Sequence, residues 1–373
     1  MEDVADEVGI ADVREDGEAE VHDAFLRAQQ TKSTATPTVE KSKVPTVAAF
    51  APEWLEKHVK ANLHKLSGID AQSSIVRIHL LPFVGSRRLD QVTDEVVAQL
   101  RAKWIAGGYT FTTEASKVRE VRGTSRRKTI NNRLSVLSMI LKCAYDWKRI
   151  AAMPCRIRLL KVDDQAEAHH YDHETYERLV TASSSLDPRI HAAVLLGGDG
   201  GLRRGEILGL NLDDVDFRAG RLTIRRSVYW RKKTSHEDTV KGGRTKAIPC
   251  TPRLLEALKR CRHLRGPRLL YTDENSEVTP KIVKAWVMSV EAKAGLPKTG
   301  RLHVYRHTFA SHLAMAGVPT KTIQELCRHA SLSITMRYMH LSPSATDEGI
   351  AMLTKSRGDG GKAVSLRTGS RAE

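Results

Sequence analysis

The chain has 373 residues, a formal net charge of +16 and a pI near 9.7. That length allows two domains with cores of their own, and that basicity favours a polyanionic partner, nucleic acid first. No apolar run of about eighteen residues exists, so no membrane span is expected. Five scattered cysteines without a CxxC pair argue against a disulfide framework or zinc site and for a reducing cytosol.

Residues 1–44 form an acidic tail. The first forty residues hold eleven Asp and Glu against three Lys and Arg, so the basic excess lies further along the chain. Disorder is expected there, with a short helix over Ala19–Gln30 as the one candidate element. No signal peptide is legible.

Residues 45–156 read as a helical domain. Phe50, Trp54, Leu55 and Val59 share one face of a first helix. Ile75, Ile78 and Leu81 mark a second, ended by Pro82 and Gly85. Val92, Val96, Val97, Leu100 and Trp104 mark a third, ended by Gly107-Gly108. A polar insertion, Thr110–Ser125, reads as a loop. Ile130, Leu134, Leu137 and Leu141 then form an apolar stripe on a fourth helix. Near its start, Arg126, Arg127, Lys128, Asn131, Asn132 and Arg133 are expected to meet DNA phosphates or bases.

Residues 157–171 read as a linker. A second, α+β domain is expected over 172–356, followed by a flexible tail at 357–373. Its β pattern lies at RLTIRR (221–226), SVYWRK (227–232) and a returning strand TKAIPC (245–250). Helical patterns follow at Pro252–Arg262, Pro280–Ala294 and His307–Ala316. The fold class expected is therefore mainly α with a small antiparallel β-sheet.

One set of residues suits the breaking of a DNA phosphodiester. Such a reaction needs a nucleophile, a clamp for the non-bridging oxygens and a proton for the leaving oxygen. Tyr338 is the candidate nucleophile, with His329 nine residues and Thr335 three residues before it. His303 and Arg306 lie three apart and face one way. Arginine clamps phosphate well because its planar fork holds two oxygens and stays charged. GLRRGE at 201–206 supplies another arginine, Arg203 or Arg204, with Glu206 able to orient it or to face solvent. Lys241, between glycines and a hairpin turn, can approach a backbone closely. A covalent phosphotyrosine would conserve the bond energy, so no cofactor or metal is expected.

These stretches resemble the tyrosine recombinases of the phage integrase family. GLRRGEILGLNLDDVDF resembles the first arginine box, HVYRHTFASHLAMAG the HxLRH box, and LCRHASLSITMRYMH the LGHxxxxxTxxY box. The resemblance implies Arg203 and Arg306 as the phosphate clamp and Tyr338 as nucleophile. It implies His303 and His329 as phosphate ligands or proton relays, Lys241 as general acid and Glu206 as support. It also implies a helical core-binding domain and a catalytic domain closing as a C-shaped clamp on duplex DNA. The expected partners are double-stranded DNA with inverted repeats and a tetramer on two sites, with an accessory DNA-bending protein left open.

The implied role is recombination in a bacterial cytosol, integrating or excising a mobile element. Dimer resolution by the same chemistry and a DNA-binding relic are the alternatives. An RNA-binding protein fits poorly, since aromatic residues make up only 5% of the chain and no aromatic-rich strand exists for stacking. Two departures stand out. Tyr305 replaces the usual Leu, and Cys327-Arg328 replaces Leu-Gly before His329. Arg328 is expected either to strain that turn or to add a phosphate contact. Ser344–Leu353 is a candidate for docking on a neighbouring subunit.

Overall fold

The computed structural model describes residues 44–62, 65–112, 118–121, 123–162, 169–231, 233–239 and 245–342. The acidic tail up to residue 43, Lys241, the segment Ser344–Leu353 and the C-terminal tail lie outside the described residues. The chain divides into two compact units, Met1–Val162 and Asp163–Glu373.

The first unit is built on helices. Helix α1 (Val47–Trp54) starts at Thr46, whose hydroxyl accepts from the Ala49 N–H at 3.2 Å, and continues as a wider π-type coil over Leu55–Lys60. Phe50, Trp54 and Val59 are buried as the apolar spacing requires. Helix α2 (Leu66–Ile75) passes through a π-type stretch, Val76–Leu80, into a short α3 (Leu81–Val84). Here the sequence reading is corrected. The wider coil shifts the buried line to Val76, Leu80 and Val84, leaving Ile75, Ile78 and Leu81 only half-buried. Pro82 does not end the run, because it stands in the first turn of α3, where its missing N–H costs nothing.

Helix α4 (Asp94–Ala106) buries Val96, Val97, Leu100 and Trp104 and stops at Gly107, φ 73°. The insertion expected to be a loop instead contains a hairpin. Strand β1 (Tyr109–Thr112) pairs antiparallel with β2 (Val118–Val121), Tyr109 opposite Val121. Helix α5 (Arg127–Asp146) buries Ile130, Leu134, Leu137 and Leu141 completely or nearly so. Each such side chain contributes about 1.5–3 kcal/mol by leaving water.

The expected DNA-contact set on α5 separates. Arg126, Arg127, Lys128 and Asn132 are exposed. Arg133 is not available to a phosphate, because it shares the face of Ile130 and Leu137 and lies buried with its guanidinium 5.5 Å from the Trp104 ring centre. Asn131 has both ends of its amide committed, donating to the Leu160 carbonyl and accepting from the Leu160 N–H, each at 2.8 Å.

The second unit is α+β. Helix α6 (His173–Ser184) is capped by the Asp172 carboxylate, and α7 (Pro188–Gly198) by Asp187. After the short α8 (Arg204–Leu208), strand β3 (Val215–Asp216) pairs with β4 (Arg221–Ile224). Strand β7 (Lys246–Pro249) pairs with β4 on its other side, Leu222 opposite Ile248. Strand β5 (Arg226–Arg231) pairs instead with β6 (Thr234–Thr239), a strand the sequence reading lacked. Lys241 belongs to the connection from β6 to β7.

Helices α9 (Pro252–Arg260) and α10 (Pro280–Lys293) pack with α6 and α7 around one core. Helix α11 (Leu302–Met315) begins earlier than the expected His307, so His303 and Arg306 lie within it. Tyr305, fully buried, packs edge-on against Tyr171 and Tyr176. Helices α12 (Thr320–Cys327) and α13 (Leu332–Met336) complete the unit and enclose a small cluster of Ala310, Ala314, Ile323, Cys327 and Tyr338. No helix among the described residues is long and apolar enough to cross a membrane.

Candidate active site

Three stretches of the second unit meet at one place: residues 200–206, helix α11 and residues 327–338. The first opens with Gly200–Arg203, which leads into α8. Gly201 has φ 60°, and a Cβ there would stand 2.4 Å from the Phe309 ring, so glycine is required for both reasons. Its carbonyl points at Arg306, which donates to it and to the Cys327 carbonyl. Gly201→Ala is therefore expected to cost about 1–3 kcal/mol in backbone strain alone. Thermal melts should show the loss, and an unchanged melting point would contradict the tight approach.

Glu206 sits three residues along, 2% exposed, and organises the arginines. Its Oε1 accepts from Arg203 Nη1 at 2.7 Å, and its Oε2 accepts from the Arg203 backbone N–H at 2.9 Å and from Arg328 Nη2 at 3.0 Å. Burial pushes this carboxyl up, but Arg328 and Arg203 outweigh that, and its pKa lies below the usual value. Of the two candidate arginines after the glycines, Arg203 joins the cluster and Arg204 is exposed.

Arg306 is almost wholly buried and, among the described residues, bonds no carboxylate of its own. Its pKa falls to about 10, chiefly through burial and then through Arg203 and Arg328. Arg203 and Arg328 thus share one carboxylate with Arg306 close by, a net positive cluster suited to an anion with several oxygens.

Arg328 explains the departure at the turn before His329. It ends α12 in the left-handed region, φ 55° and ψ 45°. That geometry suits glycine and costs a residue with a Cβ about 1–2 kcal/mol. The side chain runs inward to Glu206 and three backbone carbonyls.

His329 stands 2.9 Å through Nδ1 from the Thr335 hydroxyl, which fixes the ring and leaves Nε2 for another partner. Its ring stacks near-parallel on Tyr338, centres 6.1 Å apart. The Tyr338 hydroxyl lies 2.6 Å from Nδ1 of His307. Burial raises the Tyr338 pKa above its ordinary value of 10.0, with Arg306 opposing. His303 is exposed, and its ring lies edge-on to His307, 4.6 Å between centres. Its ring edge keeps solvent contact, but the protein packed around it partly desolvates the imidazole, and this with the nearby Arg306 lowers its pKa.

His307 was absent from the sequence-based set. Its signal was its place one turn after His303, on the same face of α11. Burial lowers the pKa of His307 to about 4 and that of His329 to about 3. In the unfolded chain both take up a proton near pH 6.5 while the folded rings stay neutral, so protons favour unfolding. Stability should fall as pH drops from about 6.5 towards 4, by about 1.4 kcal/mol per unit per ring at most. Thermal melts of the His307→Asn, His329→Asn double variant should have lost much of that slope.

Residues 170–345 match the phage integrase family. This chain carries the tyrosine recombinase domain of that family. Tyrosine recombinase XerC of Thermodesulfovibrio yellowstonii is 28% identical over 59% of this chain and 73% of its own length. XerA of Pyrococcus furiosus is 31% identical over 48% of this chain and 59% of its own length. The integrase of Haemophilus phage HP1 is 22% identical over 87% of this chain and 86% of its own.

Among solved structures, the Tn1549 transposon integrase in complex with a circular intermediate DNA superposes with a TM-score of 0.67 at 19% identity. It covers 83% of this chain and 99% of that one. A lambda integrase dimer bound to a core site gives 0.60 at 15% identity over 94% and 91%. The fold of the recombinase is thus that of these integrases, and its enzymatic class is the tyrosine-type site-specific recombinases.

Proposed function

We propose that this recombinase cuts and rejoins duplex DNA through a 3′-phosphotyrosyl intermediate formed on Tyr338. The observation that carries this reading is the meeting of Arg203, Arg306, His329 and Tyr338 at one cluster from three separate stretches of sequence. The Tyr338 oxygen attacks the scissile phosphorus, and the bond from phosphorus to the 5′ oxygen breaks. Arg203 and Arg306 hold the non-bridging oxygens as charge develops. His329 presents its free ring nitrogen to the same phosphate, and His303 adds to the rim. His307 orients the phenol and takes its hydrogen bond. Lys241 gives a proton to the departing 5′ oxygen, which leaves as a hydroxyl. Attack by a 5′ hydroxyl of the partner duplex reverses the step and yields a four-way junction.

The substrate is double-stranded DNA with inverted repeats, and two such sites are held by a tetramer. Integration or excision of a mobile element is favoured over dimer resolution, because the phage integrase aligns along 87% of the chain and the XerC relative along 59%. The exposed Arg126, Arg127, Lys128 and Asn132 of α5 contribute phosphate contacts, and binding should weaken steeply with salt.

A nicked duplex built from repeats flanking the gene, incubated with the protein in EDTA, should yield a covalent adduct on a denaturing gel. Peptide mapping should place the nucleotide on Tyr338. Tight, salt-sensitive binding with no adduct on any flanking repeat would count against the enzyme and for the relic.

A further inference from the structure

We propose that Arg328 is a positioning residue, a brace that holds Arg203 and His329 in register before DNA arrives. This deepens the recombinase reading and rests on it. The brace runs in both directions across the site. Arg328 Nη2 donates to Glu206 Oε2 at 3.0 Å and to the Gly201 carbonyl at 2.8 Å, both in the stretch that carries Arg203. In return, Arg203 Nη2 donates to the Arg328 carbonyl at 3.1 Å. Arg328 Nη1 donates at 2.7 Å to the Leu326 carbonyl, tying the end of α12 to the same guanidinium. The next residue is His329.

A glycine would take the left-handed turn freely, so the backbone does not call for arginine here. What arginine adds is a planar fork that reaches several acceptors at once. The Gly201 carbonyl is shared with Arg306, so one atom registers both buried guanidiniums. Arg328 is 8% exposed and spends its two terminal nitrogens inside the protein. Its part is therefore to place the groups that grip phosphate rather than to grip phosphate itself.

The test compares wild type with Arg328→Gly and Arg328→Lys. Two things are measured: the rate of adduct formation at saturating nicked duplex, and the side-chain Nε–H signals of Arg203 in the DNA-free protein by NMR. Arg328→Gly should bind DNA within about two-fold of wild type yet form adduct on the order of ten- to hundred-fold more slowly, the usual consequence of a small misplacement. Millimolar guanidinium should restore part of that rate, filling the space of the lost fork. Arg328→Lys keeps the charge without the fork and should recover only part of the rate. In both variants the Arg203 signals should broaden or exchange faster.

Wild-type rates in either variant would overturn the proposal, as would unaltered Arg203 signals. A loss confined to DNA affinity would also overturn it, since Arg328 would then act as a ligand. Should wild type form no adduct while Arg328→Gly still loosens Arg203, the brace stands and the recombinase reading fails. Should Arg328→Gly not fold, Arg328→Lys and its rate decide alone.

Discussion

Replacing Tyr338 with phenylalanine is expected to abolish the protein–DNA adduct, a loss on the order of 10⁴-fold or more, as for other deleted nucleophiles. The ring packs among Ala310, Ala314, Ile323 and Cys327, and phenylalanine keeps that packing. Only the hydroxyl and its hydrogen bond to His307 are lost, so stability should change by no more than about 1–2 kcal/mol. DNA affinity should hold, because the proposed clamp on the phosphate is Arg203 and Arg306, which the substitution leaves in place. Gel-shift titration and adduct gels on the same preparation separate the two quantities. An adduct persisting in Tyr338→Phe would identify a different nucleophile and sink the assignment.

The second large effect is expected in stability. Glu206→Ala removes the one carboxylate shared by Arg203 and Arg328, with Arg306 close by. Breaking a buried ion pair on one side costs about 3–5 kcal/mol, because the remaining charge stays buried and unpaired. In a domain of this size that is roughly 10 °C in melting temperature. Sulfate should recover part of the loss by binding the orphaned guanidiniums, and chloride at equal ionic strength should not. Glu206→Gln should fall between, keeping an acceptor but not the charge. A variant Glu206→Ala that melts with wild type would mean that the three arginines hold apart without their counter-ion.

Much of this was legible in the residues, and the misses have particular causes. The stripe Ile130, Leu134, Leu137, Leu141 has the helical period and nothing opposing it, so α5 and its buried face follow directly. The same helical wheel places Arg133 between Ile130 and Leu137, but reading it by charge sent it to DNA when its position sent it to the core. Ile75, Ile78 and Leu81 keep an ordinary helical spacing, and the π-type stretch Val76–Leu80 rotated the buried line away from them. The hairpin β1–β2 is only four residues a strand, with threonines and charges between its apolar positions, too short to outweigh its polarity.

At the site, order and spacing point to Glu206, Arg306, His329 and Tyr338 but leave Arg203 and Arg204 open, and the resemblance to the integrase motifs is what singles out Arg203. His307 has no local signal beyond its spacing from His303, because its partner Tyr338 lies 31 residues further along the chain. The partner of Arg328 could not be read at all. Glu206 is 122 residues away in the chain, and only the fold brings the two together.

Tyr338 is 4% exposed, its phenol held against His307 and roofed by the cluster around Cys327. Arg306, at 2% exposed, is enclosed with it. On the reading proposed above, a duplex phosphate meets neither group as they lie, so turnover begins with a local rearrangement whose energy comes from binding the DNA site. Faithfulness to the site would thus be enforced in time as well as in contact: a sequence that binds too briefly or too weakly never arms the enzyme.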